Sequence, residues 1–543
     1  VALVVGAALR VWYLVDLLSQ PFFGHLLVDA RAYDASALAI LAGRGLEVAF
    51  YRPPLYPLFL AGIYGVAGHS MVAVVAAQML LGLACVVPVF LLAQRWYGGA
   101  AGTVAALVTA AYPLRIYYEG EHLDVTLVSF LLLAAVWAAV TGIAGRSAPL
   151  LGLTGTLLGA SALVRPNILA VLPFLALGCW LLSRGTDPLP RRGVVIGATL
   201  LLLVLAPTTI RNWRAEGRLI PVAAYGGINF FLGNTPGATG ETPMPPGLRW
   251  EELALLPVRE GFTGAAAQDA WWWRKATAQI AADPVGTLLL LGKKTALFWN
   301  IRESSNNKAL PFFTAVSPVT AHYRWWFGIL AVVALSTLPF TRANRGTGLL
   351  LCLLAGVTCS VIPFFVTARY RIPAVPLLAI LAGGGAVALA RTLHAGRRGG
   401  GVAPMGWAMA CSLAILVPWF GTTDRAVDAD LQMALVRMER GEPELALPHL
   451  LAAIKRDPDD PDRRNIMGVA QTALGDLPQA EEAYRQTLSL GEFSSVYFNL
   501  GLLRQRQGDA AGAEAFYRRT LELNPLNPKA RRNLELLRSG VRE

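Results

Sequence analysis

The sequence predicts an all-α membrane protein: a polytopic bundle of transmembrane helices followed by an α-solenoid. Three observations carry this. Of 543 residues, 55% are hydrophobic and only 15% charged, too apolar a balance for a soluble chain. Apolar runs of spanning length recur through about the first 420 residues, separated by short loops that hold many of the arginines. Beyond about Thr422 these runs give way to charged, helix-forming sequence that repeats itself at about 34-residue spacing.

Taken in order, the spanning runs are 1–19, 70–95, 99–117, 124–143, 149–164, 167–183, 194–210, 325–341, 347–366, 372–391 and 403–421, about eleven in all. The sequence opens at Val1 without a methionine, so further N-terminal residues are expected. The run from Val1 to Leu18 shows no cleavage pattern and is read as a retained span. Residues 54–67 are short and follow Pro53, Pro54 and Pro57, and 285–300 carry Lys293 and Lys294 mid-run. Both are expected to lie in the interface rather than to cross. The five cysteines (Cys85, Cys179, Cys352, Cys359, Cys411) fall inside apolar segments without metal-ligand spacing and read as small core residues.

Positive charge sets the orientation. Arg95, Arg146, the Arg184 to Arg192 loop, Arg342 with Arg345, and Arg391 to Arg398 share one side, which is therefore cytoplasmic. Loops 20–69 and 211–324 and the tail are then extracytoplasmic, as in a bacterial inner (cytoplasmic) membrane protein. A net charge of +12 raises the question of nucleic acid, but the basic residues are dispersed rather than gathered in one patch. No nucleic-acid partner is expected.

The expected domains are 1–421 in the membrane and 422–543 as tetratricopeptide repeats. Gly441, Gly475 and Gly508 recur with Ala446, Ala480 and Ala513, small residues that suit close contact between paired helices. Pro458 and Pro525 follow the second helices of their repeats, where a proline ends a helix. Three repeats plus the helix from Lys529 to Arg538 make a small solenoid, either a stabilising cap or a dock for a protein partner or acceptor.

Ionisable groups beside a bilayer core are functional candidates by default. Asp29 with Asp34, Arg52, the run Glu119-Gly120-Glu121-His122-Leu123-Asp124, Arg211 with Asn212, and Arg369 with Arg371 all fall on the extracytoplasmic side. A carboxylate facing several arginines suits transfer from a lipid phosphate. The carboxylate takes a proton from the attacking hydroxyl, and guanidinium forks neutralise the departing phosphate. Neither a Walker loop nor a dinucleotide fingerprint is present.

These residues bring out a resemblance. Asp29 with Tyr33-Asp34, Arg52-Pro53-Pro54-Leu55-Tyr56-Pro57, Arg165-Pro166-Asn167 and Arg211-Asn212-Trp213 come in the order found in GT-C superfamily glycosyltransferases. Gly226-Gly227-Ile228-Asn229-Phe230 with Gly233-Asn234, and Arg369-Tyr370-Arg371-Ile372-Pro373, complete the series. Over roughly residues 1–420 the chain resembles the bacterial family-39-like branch, related to protein O-mannosyltransferases and lipid A aminoarabinose transferases. The resemblance implies a GT-C fold and a polyprenyl-phosphate sugar donor. It also implies Asp29 as the catalytic acid–base residue, with Arg52, Arg211, Arg369 and Arg371 on the donor phosphate. Tyr33, Tyr56, Asn229, Asn234 and Tyr370 would then position substrate.

Asp29 is followed by Ala30, a departure from the paired-acid form of the motif, which leaves Asp34, Glu121 and Asp124 as supporting acids. Glu121, His122 and Asp124 are also the candidates for a divalent cation, as acids there are in some relatives, although Asp124 equally suits the start of a helix. His25 and His322 could join such a site or be ordinary interfacial histidines. Trp250 and Trp271-Trp272-Trp273 read as an interface belt ahead of a sugar platform. The expected activity is inverting transfer of a sugar to a hydroxyl on protein Ser/Thr or on a cell-envelope glycan or lipid. The rival expectation is a non-catalytic membrane scaffold whose repeats recruit a partner protein.

Overall fold

The computed structural model describes residues 1–44, 50–184, 188–241, 247–341, 344–394, 402–419 and 428–539. Arg342, the 395–400 part of the last basic loop and the presumed junction at 421–427 lie outside them. Among the described residues the regular structure is helical, with no strand. The chain divides into two compact units, Val1–Pro243 with Trp273–Asp424, and Met244–Trp272 with Arg425–Glu543.

Among the described residues of the first unit, six helices are long and apolar enough to cross a membrane: Met71–Tyr97, Val125–Ala144, Pro166–Ser183, Arg191–Glu216, Pro318–Phe340 and Ala368–His394. This is fewer than the eleven expected, for identifiable reasons. The expected span 99–117 is two helices, Gly99–Ala111 and Pro113–Glu119, that meet at 49°. Tyr112, which precedes Pro113, is held extended, and the helix breaks there. Ala148–Val164 stops at Arg165-Pro166, and Arg345–Val361 stops just short of Pro363. Ala403–Leu416 is also short, and the first helix, Ala2–Leu18, has 17 residues. The stretches expected in the interface are the helices Leu55–Ala67 and Pro284–Trp299.

Two features bind this unit. Gly155 meets Gly197 across the helices Ala148–Val164 and Arg191–Glu216, where a Cβ would stand 1.8 Å from the Gly197 carbonyl oxygen. Small residues let membrane helices approach this closely. The second is a buried ion pair. Arg10 Nη2 donates to Glu119 Oε1 at 2.7 Å, and Nε lies 2.7 Å from Oε2. Arg10 Nη1 also donates to the carbonyls of Gly6 and Ala110, tying the first helix to the bent pair. Gly82 makes the room, since a Cβ there would fall 1.9 Å from Glu119 Oε1.

The second unit stacks three helix pairs: Ala429–Glu439 with Pro443–Arg456, Pro461–Leu474 with Leu477–Leu488, and Ser494–Arg506 with Ala510–Leu523. The helix Pro528–Ser539 closes the stack. Ala446, Ala480 and Ala513 are fully buried between paired helices. Gly441, Gly475 and Gly508 have φ of 71°, 83° and 78°, the left-handed turn that glycine takes without strain.

This unit also takes in Met244–Trp272, from the loop that the sequence places at 211–324. The short helix Leu248–Ala254 starts on the repeats, where Leu248 is buried among Tyr484, Phe493, Val496 and Leu500. Its N–H donates to Asp462 Oδ1 at 2.9 Å. Trp271 and Trp272 are buried as well, with Trp271 Nε1 donating to Glu260, so they are core side chains rather than an interface belt.

Two predictions follow from this packing. Arg10→Met leaves the Glu119 carboxylate buried without its hydrogen-bonded counter-charge, a change that costs about 3–5 kcal/mol. Thermal melting in detergent should show a lowered midpoint, with much of the loss recovered in Arg10→Met/Glu119→Met. In the second unit, burial pushes the Asp462 carboxyl up to about 7, with Asp460 and Glu251 adding to the rise. A carboxyl with a raised folded pKa is stabilised in its protonated form, so docking of 247–259 should weaken from about pH 4 to about pH 7 and then level off. Hydrogen exchange of that segment, corrected for intrinsic rate, should show this slope, and Asp462→Asn should flatten it.

Candidate active site

Asp29 is the first residue of the helix Asp29–Leu41, a favourable place for a negative charge. Val28 before it has φ of 51° and ψ of −120°, a rare conformation for a β-branched side chain, which costs about 1–3 kcal/mol. That turn aims the carboxylate. Asp29 Oδ2 accepts from Arg369 Nη1 at 2.8 Å and from Asn307 Nδ2 at 3.0 Å. Among the described residues Oδ1 meets Arg52 Nη2, at 3.5 Å. Burial disfavours its charge, but Arg369, Arg52 and the Asn307 hydrogen bond outweigh it and hold the Asp29 pKa at about 2.

Arg369 faces a second carboxylate, with its Nη2 3.4 Å from Asp124 Oδ1. Asp124, just ahead of the helix Val125–Ala144, is gripped by Arg165, whose Nε and Nη2 each donate at 2.7 Å. Arg165 precedes Pro166 and is therefore extended, which turns its side chain out of the helix it terminates. The guanidiniums of Arg165 and Arg369 lie 5.0 and 5.4 Å from the Tyr370 ring centre, where its π face favours cations. Beside them Lys308 Nζ lies 2.8 Å from Glu121. Four cationic side chains thus face three carboxylates, an excess of one positive charge.

A cavity of about 130 Å³ opens beside Arg369, with Asp124, Arg165, Tyr33, Asn229 and Tyr370 at its polar end. Val164, Pro166, Val361, Phe364 and Phe365 make apolar walls. A smaller recess lined by Leu27, Ala30, Tyr117, Asn307 and Lys308 also touches Arg369.

Other expected residues lie apart from this cavity. Arg371 is two positions from Arg369, and side chains two apart on a helix do not share a face. It turns instead to Glu303 and to the carbonyls of Phe298, Asn300 and Arg302. Arg211 lies over the Phe50 ring at 3.8 Å. Tyr56 is buried and donates to Gln78, packing edge-on against Tyr33. Asn234 bridges Lys294 and the Phe230 and Pro363 carbonyls. Asp34 accepts from Tyr64 and pairs with His69.

The second-loop acids do not assemble a metal seat. Glu121 faces Lys308, and Asp124 faces Arg165 and Arg369. His122 is buried, and burial followed by the Lys308 charge pushes its pKa down to about 4, so it is neutral near pH 7. Among the described residues no group of three or more His, Cys, Asp or Glu gathers. Asn307 and Lys308 were not anticipated. The only sequence signal for them is the polar run Ser304-Ser305-Asn306-Asn307-Lys308 set between apolar stretches.

Residues 51–210 match the profile of the family described as dolichyl-phosphate-mannose-protein mannosyltransferase. Residues 431–495 and 494–525 match tetratricopeptide repeats. The chain is thus similar to that family over residues 51–210, and its C-terminal part carries tetratricopeptide repeats. No curated protein matches it in sequence. Among solved structures, this chain is similar to ArnT from Cupriavidus metallidurans bound to undecaprenyl phosphate, at 14% identity and a TM-score of 0.42. That match covers 94% of this chain and 79% of the other. It is also similar to the oligosaccharyltransferase of Archaeoglobus fulgidus, at 13% identity and a TM-score of 0.45, over 82% of this chain and 59% of that one.

The geometry predicts what holds the Asp29 carboxyl down. In Arg369→Ala its largest counter-charge is gone while the burial remains, so its pKa should climb from about 2. A carboxyl infrared titration against the Asp29→Asn background should record that rise.

Proposed function

We propose that this chain is an inverting glycosyltransferase that moves a sugar from a polyprenyl phosphate to a hydroxyl acceptor on the extracytoplasmic face of the membrane. The observation that carries this reading is the Asp29–Arg369 contact, made across 340 positions of sequence beside a cavity with apolar walls. The excess positive charge there suits one more anion, and a lipid phosphate brings both the anion and an apolar chain.

The chemistry follows from the hydrogen bonds. Arg369 and Arg52 turn from Asp29 to the incoming phosphate, and Asn307 keeps Oδ2 occupied. Asp29 Oδ1, the less engaged oxygen, then faces the acceptor hydroxyl. Loss of the guanidinium contacts raises the Asp29 pKa, making it a better base once donor is bound. The acceptor O–H proton passes to Asp29 as the acceptor oxygen bonds to the anomeric carbon. The bond from that carbon to the phosphate oxygen breaks with inversion, and the lipid phosphate leaves against Arg369, Arg165 and Arg52. Arginine's planar fork suits these oxygens, and its charge counts most as the phosphate gains its own.

That residues 247–272 fold with the repeats supports placing the repeat domain on the same membrane face as this loop. The acceptor is protein Ser/Thr or an envelope glycan or lipid, of which the family description favours protein.

Asp29→Asn should lower turnover by about two to four orders of magnitude while lipid-phosphate binding persists. Arg369→Ala should instead weaken binding of the donor. The measurement is transfer of radiolabel from a polyprenyl-phosphate sugar, alongside binding of the unglycosylated lipid phosphate. Near-normal transfer by Asp29→Asn would move the base role elsewhere.

A further inference from the structure

One edge of the repeat domain is occupied by the chain's own loop, and the contact has the makeup of a recognition site. Leu248 is the apolar anchor, 3% exposed in a pocket of Tyr484, Phe493, Val496 and Leu500. Gly247 runs so close to the repeats that a Cβ would stand 2.1 Å from Asp462 Oδ2. Glu252 accepts the Ser494 N–H and Glu251 the Ser495 hydroxyl, both at the start of the helix Ser494–Arg506, where carboxylates are favoured. Arg249 and Arg259 donate to the carbonyls of Asp459 and Leu523, each near the end of a repeat's second helix. The motif engaged is therefore Gly-Leu-Arg-x-Glu-Glu, residues 247–252.

We infer that this edge is a peptide-binding site whose resident ligand is the chain's own 247–259 segment, exchangeable for a segment of another protein with the same chemistry. Three observations make the resident replaceable. Two further apolar clusters of the repeats, around Leu450 and around Tyr517, contain no loop residue among the described residues, so these parts of the solenoid pack without it. The segment buries only small or medium apolar side chains, Leu248, Pro257 and Val258, and is otherwise held by a few hydrogen bonds. Finally, Asp462, Asp460 and Glu251 crowd one another at the contact, and burial of Asp462 adds to the cost of its charge. This inference stands apart from the transfer chemistry and survives if that reading fails.

The test uses the full-length chain in detergent and a fluorescent synthetic peptide of residues 247–260. Leu248→Asp empties the seat, and the variant should bind the peptide at least about ten-fold more tightly than wild type, a difference of about 1.4 kcal/mol. The same peptide carrying Leu→Asp should not bind, and Asp462→Lys added to the emptied protein should abolish binding. Failure of the emptied protein to bind peptide, with repeats that melt as in wild type, would mark the contact as a fixed structural joint. Equal binding to wild type and Leu248→Asp would place the peptide elsewhere and overturn the proposal too. If Leu248→Asp disturbs the repeats, Glu251→Gln/Glu252→Gln loosens the loop without adding charge and carries the same comparison.

Discussion

The guanidinium of Arg369 is the constraint on which the membrane unit depends. A charge buried to 2% exposure is tolerable only with partners at close range, and these come from widely separated parts of the chain. Asp29 arrives from the first loop and Asp124 from a helix start, while Asn307, from a loop before the late helices, donates to the same Asp29 oxygen. That last loop is pinned on both sides of Arg369. Ala368 N–H donates to the Ser304 carbonyl, and Arg371 pairs with Glu303. Thus Arg371, two residues along, holds the scaffold against which Arg369 acts.

Further from the site, the same requirement of pairing recurs. Arg10 and Glu119 are buried among helices with no solvent to screen them, and the glycine at position 82 exists to let the carboxylate in. Such a pair gives little net stability over an apolar contact, but it specifies one arrangement of the first helix against the bent pair. The bend matters in turn, because it carries the chain round to Glu121 and Asp124 within a few residues.

Much of this was legible in the sequence. The helical class, the repeats and the meeting of Asp29 with Arg52 and Arg369 follow from apolar runs, a fixed period, and charges beside a bilayer. What was not legible has physical reasons. Counting spans by apolar length overlooks helices that stop early at Arg165-Pro166 or before Pro363. Treating Arg369 and Arg371 as one pair ignores that two positions on a helix point apart. Motif position alone puts Arg211, Tyr56 and Asn234 at the site, whereas in the structure Arg211 lies over Phe50, Tyr56 bonds Gln78 and Asn234 bonds the Pro363 carbonyl. The docking of Leu248 carries no local signal at all, since its partners lie more than 200 positions away.

That distance has a consequence for how the protein is made. The bond from Leu248 to Asp462 closes over 214 positions, and that from Arg259 to Leu523 over 264. During synthesis the 247–259 segment emerges and must wait, its leucine uncovered, until the repeats have been made. It finds its seat only if the repeats are delivered to the same compartment. A chain that inserted one helix too few or too many would strand the two halves of this contact on opposite sides of the bilayer. Docking of the loop therefore waits on the repeats, more than 200 positions further along the chain.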